Sequence, residues 1–166
     1  MVAAAPIQTA RQLPLDMRER IDRTLVSMEV ATHKLSVSED EVLAMIQTGR
    51  IEWAWDIGRG AKRMELRIWR ESLSDCIRTL EGRGKAFGGM LQAHVVSMAV
   101  PPPRPDALKN RLVNGVDLRH RFSCSEFLIS QLIKEGELRA YGVTPNKHTP
   151  KIVYESILDF LSRRCL

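Results

Sequence analysis

The sequence predicts a mainly α fold with small β-hairpins, arranged as two tandem copies of one unit. Three observations predict it: an internal repeat, a helix bounded by serine and glycine in each copy, and two short strand-like segments behind each of those helices. HKLSVSEDEVLAMIQTGRI (33–51) lies over HRFSCSEFLISQLIKEGEL (120–138) at a constant offset of 87. RIWRESL (67–73) then lies over KIVYESI (151–157) at an offset of 84, so the first copy carries three extra residues in between. Two matching segments in the same order set the architecture before any element is assigned.

Each copy begins with a candidate helix, 17–33 and 107–120, in which Ile21, Leu25 and Met28 recur at helical spacing. After a short turn, Ser38 and Ser125 are placed to cap a second helix, with Glu39 and Glu126 favoured in its first turn by the helix dipole. Val42, Met45 and Ile46, matched by Ile129, Leu132 and Ile133, form its apolar stripe. Gly49 and Gly136 end it, because glycine takes a left-handed backbone without penalty. Hairpins follow, with strands expected at 51–57 and 64–69 in the first copy and at 138–143 and 151–154 in the second. A closing helix buries Leu73, Cys76, Ile77 and Leu80 in one copy and Ile157, Phe160 and Leu161 in the other.

The repeat divides the chain into an N-terminal unit with its leading helix (1–82), a Gly- and Pro-containing connector (83–106) and a C-terminal unit (107–166). GRGKAFGG (82–89) reads as a mobile linker and PPPRP (101–105) as an extended stretch. The apolar segment between them, MLQAHVVSMAV, is expected to pack on one copy or to mediate self-association. At 166 residues, with 44% hydrophobic and 27% charged residues, the chain has enough apolar surface for a packed core. No apolar run approaches the about 18 residues of a membrane span, so a cytoplasmic protein is expected. The formal charge of +5 favours an anionic partner. Residues 1–103 hold 14 Lys and Arg against 13 Asp and Glu, while residues 104–166 hold 11 against 7, which places most of the excess in the second copy.

The order of helix, tight turn, helix ending in I-x-x-G-x-[IL], hairpin and [KR]-I-x-x-E-S-[LI] resembles the excisionase and MerR-like winged helix-turn-helix family, over 25–81 and 112–165. The resemblance implies tandem winged helix-turn-helix units that bind double-stranded DNA, with the second helix in the major groove and the wing on the backbone or minor groove. It implies a transcriptional regulator or a recombination directionality factor of a mobile element; the rival reading is a protein-interaction module that keeps the winged fold as a scaffold to dock a recombinase or another regulator, and dimerisation is open. The effector domain and long dimerising helix of MerR regulators proper are not visible in the sequence.

A reading helix needs polar side chains facing base edges and flanking cations for phosphates. In the second copy Ser125, Ser130, Gln131 and Lys134 supply the helix, Arg119 and Arg121 the preceding turn, and Arg139, Asn146, Lys147, His148 and Lys151 the wing. The alternative is an ordinary solvated surface. Glu39, Asp40 and Glu41 stand where the first copy would approach phosphate, and they fit a capped helix facing water or a basic partner. The wing of that copy is nevertheless rich in cations, with Arg59, Lys62, Arg63, Arg67 and Arg70 forming a candidate phosphate clamp or minor-groove arm. Trp53, Trp55 and Trp69 suit hairpin packing better than base stacking, because Trp53 and Trp55 share one face of a strand.

No catalytic constellation emerges, and neither an enzyme nor a cofactor is expected. Gly84-Lys85 is followed by Ala86 rather than Ser or Thr, so GRGKAFGG departs from the nucleotide-binding loop pattern. His33, His94, His120 and His148 lack clustered metal-ligand spacing, and Cys76, Cys124 and Cys165 suggest neither a disulfide framework nor a zinc site. His33 and His120 share one repeat position, which favours a structural or phosphate-contact role.

Overall fold

The computed structural model describes residues 23–58, 64–141 and 149–166. Among them lie seven helices and two three-stranded antiparallel sheets, so the fold is mixed α/β rather than mainly α with simple hairpins. The first copy runs β1 (Leu25–Ser27), α1 (Met28–Leu35), α2 (Glu39–Gln47), β2 (Ala54–Asp56), β3 (Leu66–Trp69) and α3 (Arg70–Leu80). After α4 (Gln92–Ala99), the second repeats the order as β4 (Leu112–Asn114), α5 (Gly115–Arg121), α6 (Glu126–Lys134), β5 (Ala140–Tyr141), β6 (Lys151–Val153) and α7 (Tyr154–Arg164).

The strands β1 and β4 correct the expected leading helices. Of the expected 17–33 helix, 17–22 lies outside the described residues, and the remainder is a strand followed by a short helix; 107–120 shows the same division. Leu25-Val26 and Leu112-Val113 favour extended backbone, and Ser27 and Asn114 then cap the helices by accepting from the Val30 and Val116 N–H groups. Each new strand pairs with the last strand of its hairpin, in the orders β1-β3-β2 and β4-β6-β5. The registers Ser27↔Arg67 and Asn114↔Lys151 occupy equivalent places.

Local chemistry at the second helices follows the sequence closely. Ser38 Oγ accepts from the Glu41 N–H at 3.3 Å, while the Ser38 N–H and hydroxyl donate to the Glu41 carboxylate at 2.8 and 3.0 Å, and those two donations hold the Glu41 carboxyl below the usual range. Ser125 accepts from the Leu128 N–H at 3.2 Å. Gly49 and Gly136 take φ of +71° and +78° just beyond the helix ends. The turn between the paired helices also repeats its conformation, with Ser36 at φ 56° and Ser123 at φ 47°.

A buried serine ties each closing helix to the segment after its glycine stop. Ser72 Oγ accepts from the Glu52 and Trp53 N–H groups at 2.9 and 3.2 Å, and Ser156 Oγ accepts from Arg139 N–H at 3.1 Å. Leu73, Cys76, Ile157, Phe160 and Leu161 are buried as expected, but Leu80 is exposed at the end of α3. Among the described residues, which leave out 142 and 143 of the expected 138–143 strand, the hairpin strands are shorter than their hydrophobic patterns, and Tyr154 opens α7 rather than ending a strand.

The two copies share a core. Leu25, Trp55, Ile57 and Trp69 of the first copy pack in one cluster with Val95, Val96, Ala99 and Val100 around α4 and with Leu118, Phe122, Leu132 and Phe160 of the second. Fully burying one such large apolar side chain stabilises by about 2 kcal/mol, so this cluster outweighs the polar contacts in holding the copies together. A second cluster, including Val30, Val42, Ile51, Ile68 and Leu73, belongs to the first copy alone. The 82–89 segment is tied to the first copy: the Asp75 carboxylate accepts the Ala86 and Phe87 N–H groups at 2.7 Å each, and Phe87 meets Trp69 edge-on. Residues 165 and 166 extend the first sheet, with Cys165 bridged to Trp55 and the Leu166 N–H donating to the Ala54 carbonyl.

Candidate nucleic-acid interface

On α6 the apolar stripe turns inward, with Leu128, Ile129 and Leu132 buried, and the opposite face stays in solvent. Ser130 and Lys134 are exposed one helical turn apart, with Gln131 half-buried beside them. Phe127, 66% exposed, stands in the first turn of the same helix. This residue is absent from the sequence-derived set. Its signal was its place outside the Leu128–Ile129–Leu132 stripe, where an amphipathic helix ordinarily carries a polar group.

The supporting cations divide by environment. Arg139 and Lys151 are exposed beside the second sheet. Arg119 is half-buried, and its guanidinium lies 3.9 Å from the Glu126 carboxylate. Arg121 donates to Asp117 at 2.9 Å within its own helix, which neutralises part of its charge. The Ser125 hydroxyl is engaged as the α6 cap while its side chain remains at the surface. Arg59, Lys62, Arg63, Asn146, Lys147 and His148 lie outside the described residues.

Arg67 overturns the expectation of a DNA contact. It is 6% exposed, and its guanidinium faces the other copy, donating to the Phe122 and Ser123 carbonyls at 2.7 and 3.0 Å and to Glu65 at 2.7 Å. A buried cation needs such partners; with the Leu66 carbonyl at 2.8 Å they engage four of its five N–H donors, and burial keeps the guanidinium away from a phosphate in solvent. The same turn is held from the other side, because the Ser123 hydroxyl donates to the Leu25 carbonyl at 2.7 Å. Burial there pushes the Cys124 thiol up to about 12, in spite of the nearby Arg67. Arg70, also counted with the wing, opens α3 and pairs with Glu71.

The corresponding helix of the first copy has the opposite charge. Glu39, Asp40 and Glu41 are all exposed in the first turn of α2. Trp55 and Trp69 are buried, and the half-buried Trp53 stacks on Trp55 with ring centroids 6.4 Å apart, so these rings pack with each other and the core. Among the described residues no cluster of His, Cys, Asp and Glu is arranged to hold a metal, and no helix is long and apolar enough to cross a membrane. No family model, curated protein or solved structure matches the chain.

Proposed function

We propose that the chain binds duplex DNA, that both copies are diverged winged helix-turn-helix units, and that α6 of the second is the reading helix. The observation that carries this is the outer face of α6, where Phe127, Ser130, Gln131 and Lys134 combine an apolar group, hydrogen-bonding groups and a cation. Those are the side-chain types that meet thymine methyls, adenine edges and guanine or phosphate. Arg119, Arg139 and Lys151 flank the face as phosphate contacts. The strand, two helices, two strands and helix of each copy support the winged reading. The biological role is that of a transcriptional regulator or a recombination directionality factor, acting by occupancy and bending.

Retention on random duplex should fall steeply with salt, since each neutralised phosphate adds about 0.9 to the slope of log affinity against log salt. Replacing Gln131 and Lys134 together by alanine should weaken binding to a site selected from a genomic duplex library, whereas Glu39→Ala with Asp40→Ala should not. Equal affinity in all variants would remove α6 from the interface. The exposed carboxylates of α2 favour a second reading, a scaffold that docks a basic protein such as a recombinase; absence of duplex retention even in low salt would select it.

A further inference from the structure

Phe127, Ser130, Gln131 and Lys134 recur at i, i+3, i+4 and i+7 on α6 and so form one stripe along its outer face. A single exposed ring is ordinary on a protein surface. What sets Phe127 apart is its company: it opens a stripe otherwise made of hydrogen-bonding groups and a cation, and its counterpart in the first copy is Asp40. Beside it the Glu126 carboxylate is set against Arg119 at 3.9 Å. With a rise of about 1.5 Å per residue, the stripe runs about 10 Å from Phe127 to Lys134, the length of about three base-pair steps.

A phenylalanine ring has no side-chain donor or acceptor, so the polar edges of the major groove offer it nothing. The apolar group those edges do present is the thymine C5-methyl. We infer that Phe127 is a specificity-determining residue that packs on a thymine methyl, with Gln131 meeting an adenine edge further along the same stripe. Four residues separate the two side chains, about 6 Å along the helix, so the thymine and the adenine lie about two base pairs apart. The inference rests on α6 being the reading helix and adds to it the composition of the site: a core of A·T pairs, with Lys134 at the far end against guanine or phosphate.

The test compares the full chain on two defined duplexes, alternating poly(dA-dT) and poly(dA-dU), which share backbone charge and hydrogen-bonding groups and differ in the C5-methyl. The unsubstituted chain should bind the methylated duplex about fivefold more tightly, and Phe127→Ala should bind both equally. Gln131→Ala should weaken both and keep the preference. A preference that persists in Phe127→Ala traces to duplex shape and overturns the inference, as does equal binding of the two duplexes by the unsubstituted chain. Equal binding that still weakens in Gln131→Ala removes the thymine contact and leaves α6 as the reading helix. Retention of neither duplex in low salt removes both.

Discussion

Arg67 and Lys151 hold the same register in equivalent sheets, opposite Ser27 in one and Asn114 in the other, yet Arg67 is buried and Lys151 stands in solvent. The difference arises outside the repeat unit. The second copy presses its α5–α6 turn onto the first, covering Arg67 and supplying two carbonyls for its guanidinium. The equivalent turn of the first copy leaves Ser36 exposed. Duplicated segments with one local design have thus received different surroundings, and an equivalent cation clamps one copy while standing in solvent in the other.

The largest effect expected from breaking this asymmetry is at the clamp. Arg67→Ala should destabilise the chain by about 3 kcal/mol, since it strands buried carbonyls and the Glu65 carboxylate, whereas Lys151→Ala should cost about 0.5 kcal/mol or less. Chemical denaturation of the two variants checks the contrast, and equal costs would deny the clamp its role. The buried serines should differ less. Ser72→Ala removes the acceptor of two N–H groups and is expected to cost about 2 kcal/mol, against about 1 kcal/mol for Ser156→Ala, which releases one.

Asp40 and Phe127 are equivalent residues on the two second helices, and exchanging their character sharpens the functional contrast. If α6 reads DNA as proposed, Phe127→Asp should lower duplex affinity about tenfold, or 1.4 kcal/mol, in a salt-dependent retention assay, because it adds a carboxylate to the face set against a polyanion. Asp40→Phe should leave affinity unchanged if α2 faces away from DNA. The smallest effect is expected at the turn, where Cys124 corresponds to Val37. Cys124→Val should change stability at neutral pH by about 1 kcal/mol or less. The folded thiol is raised from 9.0 to about 12, so its stabilising contribution is complete below 9 and is lost as pH climbs toward 12. Denaturation across that alkaline range should show a shallower decline in the valine variant.

Much of each copy was legible because its signals are local. Ser38, Ser125, Gly49 and Gly136 act on backbone groups within a few residues, and the stripes of α2 and α6 need only helical spacing. The leading strands were missed although the repeat extends to them: Leu25-Val26 and Leu112-Val113 match at the same offset of 87. Helical spacing through Leu25 and Met28 competed with that signal, and pairing with β3 and β6 decided it. Ser130, Gln131 and Lys134 could be placed on an outer face from their neighbours, and Phe127 lies outside the same stripe, but an apolar ring reads as core until its exposure is seen. Arg67 misled because a cation in a strand beside a basic loop reads alike whether it faces solvent or a distant carbonyl.

By itself the sequence determined the duplication, the caps, the stops and the order from paired helices to closing helix, because all of these depend on interactions over a few residues or on the comparison of one copy with the other. Only the tertiary structure decided which surfaces remain open: it buried Arg67 under Phe122 and Ser123, drew α4 into a core shared by both copies, and left the Phe127 ring in solvent. Charge is written in a residue, but its availability depends on what comes to lie against it, and here that covering surface arrives from some 55 residues away.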